Sequence, residues 1–154
     1  MSVQIVLGSK SDMKVAEKAV SVLKELGVKY KLSIASAHRT PELVDKLVAD
    51  ADAEVFIAIA GLSAALPGVI AARTIRPVIG VPVSGTLNLD AILSVVQMPP
   101  GVPVAGVGLD RGDNAALLAA EIIALKDEKV RKSLAQYRQK MKDAVIQDSK
   151  DVEA

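Results

Sequence analysis

The stretches VFIAIA (residues 55–60) and PVIGVPV (residues 77–83) are apolar at nearly every position. Successive side chains of a β-strand point to opposite faces of its sheet, so a strand that is apolar throughout must be covered on both faces. In α/β proteins, helices cover parallel sheets in this way. The two stretches therefore predict central strands of a parallel sheet.

Three further runs rich in β-branched residues predict the other strands of this sheet. They lie at Val3 to Leu7, Lys31 to Ala35 and Val102 to Val107. Helical patterns occupy the segments between the strands, at residues 13–26, 40–48, 64–72, 91–96 and 115–125. Ser11 or Asp12 is predicted to cap the first helix. The alternation of strands and helices predicts a doubly wound α/β domain, with the sheet between two helical layers.

From Lys126 onward the chain carries mixed charges and one apolar stripe at heptad-like spacing, formed by Val130, Leu134, Tyr137 and Met141. This predicts a further amphipathic helix over residues 127–148. Such a stripe packs on its own domain or on a neighbouring subunit, and the apolar excess of so short a chain favours the neighbour. Residues 1–154 are predicted to form a single domain with this helix as its C-terminal addition.

The composition excludes several classes of function. The formal net charge of +1 gives no electrostatic footprint for nucleic acid or for an anionic membrane. The absence of cysteine and the single histidine exclude disulfides, thiolate catalysis and multi-histidine metal centres. No apolar run approaches the length of a membrane span. We therefore expect a soluble, cytoplasmic protein.

The loop after the first predicted strand reads Gly8-Ser9-Lys10-Ser11-Asp12. Ligands of open parallel sheets bind beyond the carboxyl ends of the strands, which is where this loop is expected. Its glycine, its hydroxyls and the helix start that follows suit a phosphate group. Asp12 would repel phosphate and suits sugar hydroxyls instead. An ordinary capped helix start is an equally open interpretation.

The loop after the second predicted strand, Ser36-Ala37-His38-Arg39-Thr40-Pro41, holds the only histidine of the chain. An unperturbed imidazole titrates near pH 6.5, which suits proton transfer at neutral pH. Arg39 beside it offers a planar fork for a phosphate or a carboxylate. A solvated or structural histidine is the alternative, but the neighbouring phosphate-suited loop favours function.

The third loop, Ala60-Gly61-Leu62-Ser63 followed by residues 64–68, places a serine two residues after a glycine. This pattern resembles the nucleophile elbow of hydrolases. However, His38 precedes Ser63, whereas elbow enzymes have the order serine, acid, histidine. The other interpretation is a tight turn of small residues whose backbone lines a pocket.

Six motifs occur along the chain in a characteristic order: GSKSD, SAHRTP, AGLSAALPG, PVIGVPV, VQMPPGVPVA and NAALLAAEI. Their order and spacing, over roughly Val3 to Leu125, resemble the PurE family of purine biosynthesis. That family comprises 5-(carboxyamino)imidazole ribonucleotide mutases and aminoimidazole ribonucleotide carboxylases. The resemblance implies a three-layer flavodoxin-like fold, a homo-octamer with sites between subunits, a nucleotide substrate, and neither metal nor organic cofactor.

The resemblance also implies roles for individual residues. His38 matches the catalytic acid/base of the family. The substrate-binding positions would be Gly8, Ser9, Ser11, Asp12, Ser36, Arg39, Ala60, Gly61, Leu62 and Ser63. Serine hydroxyls, backbone N–H groups and Arg39 would hold the phosphate, and Asp12 would meet the ribose. The loop around Gly61 would close over the imidazole and the migrating carboxylate.

The third loop departs from the usual mutase pattern, which has histidine where this chain carries Ala65. Ser63 and Ala65 lean toward the branch that carboxylates aminoimidazole ribonucleotide directly with CO2. Arg39, Pro41 and Pro67 favour the mutase branch. We therefore predict a mutase that moves a carboxylate from nitrogen to ring carbon, with direct carboxylation as the alternative. A paralogue that binds nucleotides without turnover is a third hypothesis.

Overall fold

The computed structural model describes residues 1–152, so the last two residues of the predicted domain, 153 and 154, lie outside the described residues. The strands are β1 (Ser2–Leu7), β2 (Lys29–Ile34), β3 (Val55–Ala60), β4 (Val78–Pro82) and β5 (Ala105–Gly106). The helices are α1 (Met13–Glu25), α2 (Pro41–Asp50), α3 (Leu66–Ala71), α4 (Asn88–Val96), α5 (Gly112–Ala124) and α6 (Glu128–Val152). A single 3-10 turn, Lys10–Asp12, precedes α1.

The strands form one parallel sheet in the order β2-β1-β3-β4-β5. Every residue of β3 and β4 is buried, as the two apolar stretches predict. Along β3 the side chains of Val55, Ile57 and Ile59 enter the core shared with α1 and α5. Phe56 and Ala58 enter the opposite core, shared with α2, α3 and α4. The predicted three-layer, flavodoxin-like parallel sheet with an extra C-terminal helix is confirmed.

The fifth strand is much shorter than the predicted Val102–Val107, because only Ala105–Gly106 pairs with β4. Pro103 has no backbone N–H to donate, which disfavours ladder pairing at the start of this stretch. At Gly106 a Cβ atom would approach Val96 Cγ1 to 2.8 Å, so the strand end fits closely under α4. The predicted length is therefore wrong, although the presence of a fifth strand is confirmed.

The entry into α1 is capped differently from the prediction. Asp12 occupies the N-cap position of α1, but its side chain makes no capping bond to that helix. Ser9 instead caps the 3-10 turn in a capping box, in which Ser9 Oγ accepts from the turn and Asp12 accepts from the Ser9 backbone. The Ser9–Asp12 pair thus fixes the first loop before the helix begins.

Helix α6 follows α5 and packs on it through the buried side chains of Val130 and Leu134. Arg131 donates hydrogen bonds to the Ala124 carbonyl oxygen, which fixes the corner between the two helices. Every residue from Arg138 to Val152 is exposed, although Arg138 and Lys140 form ion pairs with Glu121 of α5 and Glu25 of α1. Within residues 1–152, no helix has both the length and the apolar character that crossing a membrane requires.

Candidate functional site

A cavity of about 370 Å³ lies at the carboxyl ends of β1, β2 and β3. The chain passes from β1 to β2 on one side and returns to β3 on the other, so the loops diverge at this point of the sheet. Such a switch point is where doubly wound proteins bind their ligands. Three loops therefore build the cavity wall, one after each of these strands.

The first loop is held by reciprocal bonds between Ser9 and Asp12. Asp12 Oδ2 accepts a hydrogen bond of 3.1 Å from the Ser9 N–H, and Oδ1 accepts one of 3.2 Å from the Ser11 hydroxyl. Ser9 Oγ accepts a bond of 3.4 Å from the Ser11 N–H. Because Ser9 Oγ already accepts here, its hydroxyl proton remains for donation to a ligand oxygen.

Asp12 is a buried carboxyl, 6% exposed, in the wall of the cavity. Burial raises the pKa of this carboxyl above its ordinary value, because the charged form loses hydration. The bonds from Ser11 and Ser9 and the positive charge of Arg39 oppose that rise. The carboxyl is thus fixed in orientation, and each oxygen retains capacity to accept a hydroxyl of a ligand.

The second loop is a tight turn from Ser36 to Thr40, with His38 at its middle. The Thr40 N–H donates to the Ser36 carbonyl oxygen at 2.9 Å and closes the turn. His38 is exposed and lines the cavity. The imidazole is thereby presented on a short turn at the mouth of the sheet.

Arg39 joins the second loop to the first. Its Nη2 donates to the Gly8 carbonyl oxygen at 3.0 Å, and its Nε donates to Ser36 Oγ at 3.2 Å. Ser36 Oγ also accepts from the Arg39 N–H at 3.2 Å, so the Ser36 hydroxyl proton remains for a ligand. Within the described chain, these contacts engage two of the five guanidinium N–H groups, which leaves donors for an anion.

The third loop contains two consecutive residues in unusual backbone conformations. The Ala64 N–H donates to the Gly61 carbonyl oxygen at 2.7 Å and closes a turn. Within it Ser63 has φ +63° and Ala64 has φ +25°. Residues other than glycine rarely adopt positive φ values, because the Cβ atom crowds the backbone there. A residue at the third position of such a turn is usually glycine. The turn therefore places backbone, rather than large side chains, against the cavity.

The structure brings together every residue predicted for the site except Ser63. The cavity is lined by Gly8, Ser9, Ser11, Asp12, Ser36, His38, Arg39, Ala60, Gly61 and Leu62. It is also lined by four small or apolar residues that the prediction omitted, Ala37, Ala64, Ala65 and Leu66. All four belong to the second and third loops or the start of α3. They could have been predicted from their positions in the sequence, because each lies close to a predicted site residue.

Ser63 lies on a neighbouring cavity of about 350 Å³, together with Asp90 and Ser94. That cavity does not contain His38. A serine nucleophile needs a base within hydrogen-bond reach. The hydrolase interpretation of this loop therefore has no geometric support.

The cavity combines hydroxyl and guanidinium donors, a buried carboxyl and a single imidazole. Ser9, Ser36 and Arg39 suit a phosphate, and Asp12 suits neutral hydroxyl donors. Alanine side chains on the third loop provide a less polar wall. Across residues 1–152, no three or more histidine, aspartate or glutamate side chains are grouped so that they could hold a metal ion. The arrangement can bind a phosphorylated sugar and move one proton.

Comparison with known proteins gives consistent matches along nearly the whole chain. Residues 2–144 match the family described as AIR carboxylase. The N5-carboxyaminoimidazole ribonucleotide mutase of Methanocaldococcus jannaschii is 60% identical, over 96% of this chain and 95% of that protein. A probable N5-carboxyaminoimidazole ribonucleotide mutase of Methanobrevibacter smithii is 51% identical over 97% of this chain, which spans only 45% of that longer protein.

A solved structure shows the same agreement in three dimensions. The crystal structure of Treponema denticola PurE superposes with a TM-score of 0.89 at 35% sequence identity. The match covers 99% of this chain and 98% of that chain. Sequence and backbone therefore indicate the same family.

Proposed function

The chain belongs to the AIR carboxylase family, and we propose that it is an N5-carboxyaminoimidazole ribonucleotide mutase of purine biosynthesis. The observation that carries this proposal is the 60% identity to a mutase across 95% of that relative's length. The cavity that holds His38 and Arg39 supplies the chemistry that such a reaction needs. The absence of cysteine agrees with a reducing cytoplasm as the place of action.

The substrate phosphate would bind between the first two loops. Ser9 and Ser36 each have a hydroxyl proton to donate, and Arg39 contributes its remaining N–H groups. Charge-assisted bonds of this kind are about twice as strong as neutral ones. Asp12 would accept from the ribose hydroxyls, since each of its oxygens retains a free lone pair.

His38 would act as acid and then as base. In the first step the bond between N5 and the carboxylate carbon breaks, CO2 forms, and the electron pair remains on N5. Protonated His38 donates its proton to N5, which gives the free amine. The ring carbon then attacks CO2 and forms the new carbon–carbon bond, and neutral His38 removes the proton from that carbon. The proton that His38 gave up is returned, so the cycle is balanced.

The intermediate CO2 must be recaptured before it escapes. Holding it against the ring carbon turns a bimolecular step into an effectively unimolecular one. The alanine-lined wall formed by the third loop offers no strong hydrogen-bond competitor for CO2. Leu62, at the rim of the cavity, is 84% exposed in the single chain and is available to help cover it.

We propose that the protein assembles into a homo-octamer with sites between subunits. Two exposed apolar surfaces support self-association. The first lies beside the site, where Leu62 and Leu93 line the neighbouring cavity, and Leu87 and Leu89 at the start of α4 are also exposed. The second is the exposed half of α6, with Met141, Val145 and Val152. Contiguous exposed apolar patches are uncommon on monomers and mark interaction surfaces.

Direct carboxylation of aminoimidazole ribonucleotide by CO2 is the second candidate. The description of the matching family as AIR carboxylase favours it, as do Ser63 and Ala65 in the third loop. The same cavity would serve both reactions, because both join CO2 to the same ring carbon. The two differ in whether CO2 comes from the substrate or from solution.

Product analysis with and without bicarbonate separates these candidates. The mutase converts 5-(carboxyamino)imidazole ribonucleotide to 4-carboxy-5-aminoimidazole ribonucleotide without added bicarbonate. A protein that needs bicarbonate and starts from aminoimidazole ribonucleotide is a carboxylase. Calorimetric binding with no turnover of either compound identifies a paralogue that only binds nucleotides.

His38→Asn tests the assigned acid and base. We expect kcat to fall about 10²-fold to 10⁴-fold, the usual contribution of such a group. The variant should still bind the substrate in calorimetry, because the phosphate contacts of Arg39 and the serines remain. Turnover at the wild-type rate would eliminate His38 from the mechanism.

A further inference from the structure

Thr40 stands at the N-cap position of α2, yet its side chain makes no capping bond to that helix. A threonine hydroxyl at this position ordinarily accepts from the backbone N–H two or three residues later. Here Thr40 Oγ1 turns backward instead. It accepts from the Ser36 N–H at 2.9 Å and donates to the Ser36 carbonyl oxygen at 3.3 Å.

These bonds join the two ends of the backbone turn that contains His38. Together with the Thr40 N–H, which also donates to the Ser36 carbonyl oxygen at 2.9 Å, they make three hydrogen bonds between Ser36 and Thr40. Only Ala37, His38 and Arg39 lie between the two closing residues. Arg39 is held separately by Ser36 Oγ and by Gly8. His38 has no hydrogen bond of its own within the described chain, so the closed turn restrains its backbone.

We propose that Thr40 is a positioning residue for His38, which rests on the function proposed above. The imidazole must serve two atoms in turn, N5 of the substrate and its ring carbon. A displacement of about 1 Å at a reacting group can cost 10²-fold in rate. The hydroxyl of Thr40 limits that displacement by locking both polar backbone groups of Ser36.

Thr40→Val removes the hydroxyl and keeps the shape of the side chain. Without it the Thr40 N–H bond still closes the turn, but the Ser36 N–H loses its partner. We expect kcat to fall about 10-fold to 100-fold. KM should rise less than about threefold, because Ser36 Oγ keeps both of its bonds from Arg39 and phosphate binding is retained. Thr40→Ser, which keeps the hydroxyl, should restore kcat to near the wild-type value.

Thr74→Val is the matched control. Thr74 Oγ1 accepts from the Arg76 N–H at 3.1 Å in the loop before β4, away from the cavity. The same loss of a hydroxyl–backbone bond should leave kcat and KM unchanged there. Because Thr40 is exposed, its valine variant is expected to fold, and Thr40→Ala gives the same test if it does not.

A second readout does not depend on turnover. The chain has a single histidine, so the Cε1–H signal of ¹³C-labelled histidine reports His38 without assignment. We expect Thr40→Val to shift or broaden this signal, and Thr40→Ser and Thr74→Val to leave it as in the wild type. An unchanged signal in Thr40→Val overturns the proposal, as does an unchanged kcat. If the wild type itself converts neither nucleotide, the proposed function fails, while the histidine signal still decides whether Thr40 positions His38.

Discussion

The guanidinium of Arg39 donates a hydrogen bond of 3.0 Å to the carbonyl oxygen of Gly8, across 31 residues of sequence. This bond ties the loop after β2 to the loop after β1, so the two halves of the proposed phosphate site are held at a fixed separation. The same side chain braces Ser36 through Nε. In the proposed function Arg39 would therefore have two roles, because it would contact the substrate phosphate and it also sets the geometry of the donors around it.

Arg39→Lys should weaken substrate binding more than it slows turnover. Lysine keeps the positive charge but lacks the planar fork that bonds Gly8, Ser36 and an anion at once. Hydrogen bonds to charged groups contribute about 1.5–3 kcal/mol, so KM should rise about 10-fold to 100-fold. Steady-state kinetics would measure the change.

Arg73→Lys controls for the loss of a guanidinium elsewhere. Arg73 contacts Asp45 of α2 and the Val69 carbonyl oxygen of α3, and it does not line the cavity. Its lysine variant should have wild-type KM. A KM of Arg39→Lys within twofold of the wild type would show that Arg39 does not bind the phosphate.

The sheet was predictable because the amino-acid composition of its central strands alone indicates that they are buried. Residues 55–60 are apolar at each position, and burial on both faces follows directly. The fifth strand carries no such evidence. Its length depends on the space between β4 and α4 near Gly106. The local composition of Val102 to Val107 contains no information on that space.

The candidate site was predictable to the level of loops. Parallel strands place their carboxyl ends at one edge, so the loops holding Ser9, His38 and Gly61 had to be neighbours. The direction of Ser63 was not predictable, because the turn between Gly61 and Ala64 forces φ +63° there. The backward hydrogen bonds of Thr40 to Ser36 were not predictable for a similar reason, since its hydroxyl points away from the helix that it starts.

Gly112→Ala should destabilise the fold. Gly112 is buried at the start of α5, and a Cβ atom there would overlap the carbonyl oxygen of Val15 in α1. Backbone cannot move aside as a flexible side chain can, so we expect a loss of about 1–3 kcal/mol, in the range of core overpacking. Urea unfolding followed by circular dichroism would measure it.

Gly85→Ala provides the comparison, because within residues 1–152, its two chain neighbours aside, no heavy atom lies within 4 Å of a Cβ built at exposed Gly85. This variant should unfold at the wild-type urea concentration. Equal midpoints for the two alanine variants would mean that α1 and α5 separate more easily than their packing indicates.

Val145→Glu should weaken self-association. Val145 continues the stripe of Val130 and Leu134 along α6, but it lies where no other part of the described chain covers it. Burying a carboxylate in an apolar contact costs several kcal/mol, so the dissociation constant should rise at least about 10-fold. Light scattering across a concentration series would detect the smaller particle.

Gln136→Glu adds the same charge on the opposite, exposed face of α6 and should leave the particle size unchanged. If Val145→Glu and the wild type have the same mass at every concentration, the exposed half of α6 is not part of a subunit contact.

The stability of the fold should depend on pH through Asp12. Burial raises the pKa of this carboxyl above the ordinary value of 3.8, which it has in the unfolded chain. The folded state therefore binds the proton more tightly. The stability that this contributes is fully present below the unfolded pKa and is lost as the pH rises through the folded pKa.

Asparagine cannot ionise, so Asp12→Asn should become more stable relative to the wild type as the pH rises through this window. Substrate affinity should fall in the same variant, because the amide has lost one acceptor for ribose hydroxyls. Urea unfolding at acidic and neutral pH would test the sign, with Asp50→Asn at the exposed end of α2 as the matched loss of a carboxylate. A stability difference between Asp12→Asn and the wild type that is the same at both pH values would show that the folded chain accommodates the charged carboxylate without cost, and that its orientation serves binding alone.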